Sequence, residues 1–166
     1  MPSRTPTVPF RVIRHEAGHA VIAAALGIRV VRLSIEPELA TEGAGAPVLA
    51  VTTTFHGGDT DQLVAKLERG TASLDRVTAM LCVLFAGAAA QGDRAGSSLD
   101  RDKAEAIAFT YCGEARACRA LLSFARRRAE ELVRQHRRAI CRVTRALARH
   151  RTLSGRELGR VLRAAA

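Results

Sequence analysis

Aromatic residues are scarce, 4% of 166, and tryptophan is absent. Sandwiches and barrels fill their inner faces with aromatic and β-branched side chains. A chain poor in rings and rich in alanine points instead to helices in close contact. Cysteine occurs only at Cys82, Cys112, Cys118 and Cys141, with no C-x-x-C pair. Structural zinc sites usually bring cysteines in close pairs, so free thiols are the expectation here. Long apolar runs are missing as well. The longest, 79–90, is interrupted by Gly87 and is about half as long as a membrane-spanning helix. The opening Met1-Pro2-Ser3-Arg4-Thr5-Pro6 lacks the apolar core of a secretion signal. A cytoplasmic protein without a membrane span is therefore expected.

Lysine is nearly absent too. Lys66 and Lys103 are the only lysines, so arginine carries the net charge of +10, most of it beyond Gly113. Such a surface attracts polyanions, but rings for base stacking are almost lacking along the same stretch. Solvated faces of amphipathic helices account for the arginines better than nucleic acid does.

What is present suits one domain, 1–166, large enough to bury a core without staples. A proline-containing lead, 1–9, is expected to be flexible. Residues 10–112 hold the chemistry, and 113–166 form a helical C-terminal part. Apolar periodicity predicts a helix from Phe10 to Leu26, ended by Gly27, and a strand from Ile28 to Ile35. A second β-prone run spans Val48 to Phe55. His56-Gly57-Gly58-Asp59 reads as a turn, followed by a short helix, Asp61 to Arg69, and a longer one, Ser73 to Ala90. After a Gly/Asp/Ser loop, Gln91 to Ser98, comes Leu99 to Tyr111, then a helical region from Glu114 to His150 with one break allowed. Ala129, Leu132, His136, Ile140, Val143 and Leu147 form its apolar stripe, and Arg134, Arg138, Arg142, Arg145 and Arg149 another face. Ser154-Gly155-Arg156-Glu157 has the spacing of a capping box and opens a last helix. Helix, strands, then helices only: the class is α+β, predominantly helical, with a small sheet beside the first helix and a C-terminal helical bundle.

One motif carries chemistry. His15-Glu16-Ala17-Gly18-His19 satisfies H-E-x-x-H, and residues four apart on a helix share a face, so two imidazoles can grip one ion. Glu16, one position on, can reach a metal-activated water as general base without being a ligand. The helix is apolar on nearly every side after the motif, and unpaired polar groups there would each cost about 1–3 kcal/mol. A catalytic zinc normally has three protein ligands. No H-x-x-G-x-x-H extension follows, because the chain continues Ile22-Ala23-Ala24-Ala25. Asp93, Asp100, Asp102, Glu105 and Glu114 are the carboxylates that remain open as the third ligand. His56 and His150 read as a loop histidine and a helix-end histidine, and His136 as a hydrogen-bonded core residue.

The chain resembles the peptidase domain of FtsH-type ATP-dependent zinc metalloproteases. Its H-E-A-G-H-A with the apolar helix after it matches that family's first block. Ala86-Gly87-Ala88-Ala89-Ala90-Gln91 and Gly96-Ser97-Ser98-Leu99-Asp100 look like the second, with Gln91 in place of a glutamate. Leu147 to Leu158 resembles the closing segment. The resemblance implies a zinc metalloendopeptidase with His15, His19 and Asp100 as ligands, Asp102 the runner-up, and Glu16 as the base. It also implies a strand beside the active-site helix that pairs with extended substrate, which falls on Val51, Thr52 and Thr53; an ordinary internal strand explains that run equally well. The connection between Tyr111 and Arg126 is shorter than in that family. No G-x-x-x-x-G-K-[ST] occurs, so ATP binding through a P-loop is excluded, and unfolded or flexible protein and peptide are the expected substrates. A separate ATPase acting in trans and a homo-oligomer stay open as partners. Two other readings stand beside this one: a catalytically idle zinc-bound module for regulation or assembly, and a basic helical nucleic-acid binder.

Overall fold

The structure, a computed structural model, describes residues 8–36, 52–55, 57–92 and 98–164. In chain order these form α1 (Phe10–Ala25), β1 (Val30–Ser34), β2 (Thr52–Phe55), α2 (Gly57–Glu68), α3 (Leu74–Gln91), α4 (Ser98–Cys112), α5 (Ala115–Gln135), α6 (Arg137–His150), β3 (Thr152–Ser154) and α7 (Gly155–Arg163). The class is α+β, mostly helical with a small antiparallel sheet.

Local chemistry explains the helix ends. Pro9 fixes φ at −57° just before α1. At the other end Gly27 takes φ +73°, and Ile28 N–H donates to the Ala23 carbonyl at 2.8 Å, closing a Schellman-type turn into β1. Ser73 caps α3 by accepting from Arg76 N–H. Glu114 caps α5, accepting from Arg116 and Ala117 N–H at 2.7 and 2.9 Å, and those bonds hold its carboxyl below the usual range. The capping box read at Ser154 and Glu157 is formed.

Three expectations are corrected. Gly57-Gly58-Asp59 is not a turn but the first turn of α2, because paired glycines and nearby acids mark a helix N-terminus as readily as a loop; His56 lies outside the described residues. The strands are not followed by helices only. Three late residues, Thr152–Ser154, form β3, which pairs antiparallel with β1 and gives the order β2-β1-β3. A three-residue strand is too short to show a period of two. The expected C-terminal bundle is instead spread over the core, with α5 against α3 and α4 and α6 against α1 and α7. The region's single break falls at His136, which is half-buried where α5 meets α6.

Leu33 on β1 faces Thr53 on one side and Leu153 on the other, and it is fully buried. Every residue from His15 to Ala23 is buried, so this middle stretch of α1 is enclosed, by α3, by α6 and by the sheet, while both ends of the helix are exposed. Contact with α3 is tight at Gly18, where an added Cβ would lie 2.6 Å from the Ala90 Cβ and 2.7 Å from the Ala86 carbonyl oxygen. Among the described residues α3, with a mean hydropathy of 1.3, is the helix long and apolar enough to cross a membrane, yet half of it is buried in this fold. All four cysteines are free. Arg134, Arg138, Arg145 and Arg149 are exposed and Arg142 is partly buried, as the amphipathic pattern predicts.

Candidate metal centre

The site is built where α1, α3 and the start of α4 meet. His15 and His19 stand one turn apart on α1, their rings edge to face at a centroid distance of 4.6 Å. Both are buried, as is Glu16 between them in sequence. Asp100 arrives from 85 residues away on the first turn of α4, where a carboxylate also suits the helix dipole.

The outward ring nitrogens are both committed. His19 Nδ1 lies 2.7 Å from the Val83 carbonyl, which can only accept, so the proton sits on Nδ1. His15 Nδ1 donates to Gln91 Oε1 at 3.1 Å. In the neutral rings the lone pairs are then on Nε2, and these two atoms face each other at 2.9 Å. Asp100 Oδ2 lies 3.0 Å from the first and 3.4 Å from the second. Three acceptors thus converge on one point with no donor among them. Such a cluster is unfavourable unless a cation, either a proton or a metal, sits inside it.

The donor set fits zinc. Two imidazoles and a carboxylate are common catalytic zinc ligands, and tetrahedral ligands about 2.0–2.1 Å from the ion stand about 3.3 Å apart. The observed separations of 2.9, 3.0 and 3.4 Å bracket that value. Each imidazole also has the hydrogen-bonded support on its far nitrogen that metal-binding histidines almost always show.

Protonation follows from the same contacts. Burial opposes a charge on His19, but Asp100, Glu16 and the Val83 carbonyl outweigh it and raise its pKa above the ordinary 6.5. Burial likewise opposes ionisation of Asp100, yet in the metal-free site, where a proton on the imidazoles takes the place of the cation, His15 and His19 beside it hold its carboxyl well below the usual range.

Of the carboxylates left open by sequence, only Asp100 joins the histidines among the described residues. Asp102 and Glu105 are exposed on other faces of α4, Glu114 caps α5, and Asp93 lies outside the described residues. Glu16 carries enough charge near His19 to raise its pKa. Thr52 and Thr53 fall on β2, which touches α1 and among the described residues is an edge strand; Val51 lies outside the described residues. Val83 and Gln91 were not recognised as supports for the histidines. The signal was their spacing: Val83, Gly87 and Gln91 recur every four residues and so line one face of α3.

No family model matches this chain, and no curated protein matches it either.

Proposed function

We propose that this chain is a zinc-dependent endopeptidase acting on unfolded or flexible protein segments. The observation that carries the reading is the convergence of His15 Nε2, His19 Nε2 and Asp100 Oδ2, with both Nδ1 atoms already used as donors. A zinc ion held by these three atoms supplies Lewis acidity and brings the pKa of water towards neutrality.

The chain's own groups do the rest. Val83 and Gln91 lock each imidazole in the tautomer that presents Nε2. Asp100 adds a full negative charge to the ligand set and ties α4 to α1. Glu16, next to His15 on α1, is the carboxylate that takes the proton of the attacking water at its Oε atoms and returns it to the leaving amine. A purely structural metal site has no use for such a base, which favours catalysis over an idle module. β2, at the edge of the sheet among the described residues, suits an extended substrate, since main-chain pairing is blind to side-chain sequence.

Purified protein is expected to contain about one zinc per chain and to cleave casein. Glu16→Gln should retain the metal and lose cleavage. Asp100→Ala should lose the metal, whereas Asp102→Ala should keep it. Undiminished cleavage by Glu16→Gln would overturn the proposal.

A further inference from the structure

One glycine of α3 stands opposite the ligand cluster. Gly87 has no side chain to place, but a Cβ built on its backbone would overlap His19 Nε2 and lie 2.5 Å from His15 Nε2 and 2.7 Å from His15 Cε1. All three nearest atoms belong to the two imidazoles, and two of them are ligand atoms. Gly87 is mid-helix, where glycine costs about 1 kcal/mol relative to alanine. Gly87 does not adopt a positive φ, so backbone conformation does not demand glycine there.

We infer that Gly87 is the clearance residue of the metal centre, its missing side chain leaving the volume that the two imidazole ligand atoms face. This inference rests on the zinc reading and adds a residue to it that is neither ligand nor base. The geometry of α3 explains why the space must be provided there. Val83 and Gln91 must lie close enough to bond the far nitrogens of His19 and His15, and Gly18 lets α1 approach Ala86 and Ala90. With the helices held this close, the α3 residue between Val83 and Gln91 faces the near nitrogens directly. Any Cβ at that position competes with the ion for one space. Gly87 therefore converts a tight helix crossing into a binding site, and the same crossing makes α3 a wall on one side of it.

The test is zinc content and affinity of Gly87→Ala beside wild type, read by elemental analysis and chelator competition, with far-UV circular dichroism reporting the fold. Wild type is expected to hold one zinc. The variant is expected to be folded, with affinity reduced at least ~100-fold, the upper end of what losing support around the ligands costs. A folded Gly87→Ala that binds zinc like a zinc-binding wild type would overturn this inference alone. A wild type that binds no zinc would overturn the metal-centre reading and this inference with it. If Gly87→Ala does not fold, the triple variant Gly87→Ala/His15→Ala/His19→Ala decides. The added methyl meets only the imidazoles among its nearest atoms, so truncating both must restore helicity, and a triple variant that stays unfolded would refute the clearance role.

Discussion

Removing the proposed zinc is the perturbation with the largest expected physical signature. The proposed ligands bridge α1 and α4, and their supports bring in α3, so an ion there joins three elements that are distant in sequence. A ligand that binds only the folded state stabilises it by RT ln(1 + [L]/Kd), about 4.1 kcal/mol at a thousand times Kd. For a chain of this size each kcal/mol moves the melting temperature by roughly 2–4 °C. Chelation should therefore lower it by roughly 8–16 °C from the value at that zinc excess. The assay is differential scanning calorimetry of zinc-loaded and EDTA-treated protein, repeated on Asp100→Asn. That variant keeps an oxygen acceptor but loses the charge, and most of the zinc-dependent increment should go with it. Hydrogen exchange after chelation should rise first in the opening turn of α4, which Asp100 ties to α1. Identical melting with and without zinc at saturating concentration would refute the argument.

Other consequences can be checked on the same material. Metal-free protein should be most stable between pH 3.8 and 6.5, the unperturbed values of Asp100 and His19. Asp100 has a depressed pKa, so its contribution is present above 3.8 and lost as pH falls; His19 has a raised pKa, so its contribution is complete below 6.5 and lost as pH rises. Melting temperatures in EDTA across roughly pH 3 to 9 report both limbs. Burial pushes the Cys82 thiol up to about 11, so at pH 8 it should resist iodoacetamide in native protein and react only after denaturation, as peptide mass mapping would show. Leu33→Ala should cost about 2–5 kcal/mol in urea unfolding, because a fully buried side chain between two neighbouring strands leaves a cavity that the sheet cannot close.

Much of this architecture was legible along the chain because it is set by neighbours a few residues apart. The Gly27 stop, the Ser154 cap and the arginine face of α5 and α6 each act within one or two turns. Each was placed within a residue or two. The His15–Glu16–His19 geometry belongs to the same class, since two imidazoles four residues apart on a helix share a face whatever surrounds them. Failures came where local signals are degenerate or too short. A Gly-Gly-Asp run reads as a turn until α2 forms over it, and β3 has only three residues with which to announce itself.

The third ligand was a different kind of question. Asp100 and Asp102 lie two residues apart on α4, and the spacing of His15 and His19 selects neither. Residues two apart on a helix point nearly opposite ways, and only the docking of α4 turns one towards the imidazoles and the other to solvent. The same holds for Val83, Gln91 and Gly87, whose spacing is visible in the sequence but whose task depends on how closely α1 crosses α3. Local periodicity placed the two histidines on one face. Long-range packing, which closes 85 residues of chain onto that face, decided what completes the site.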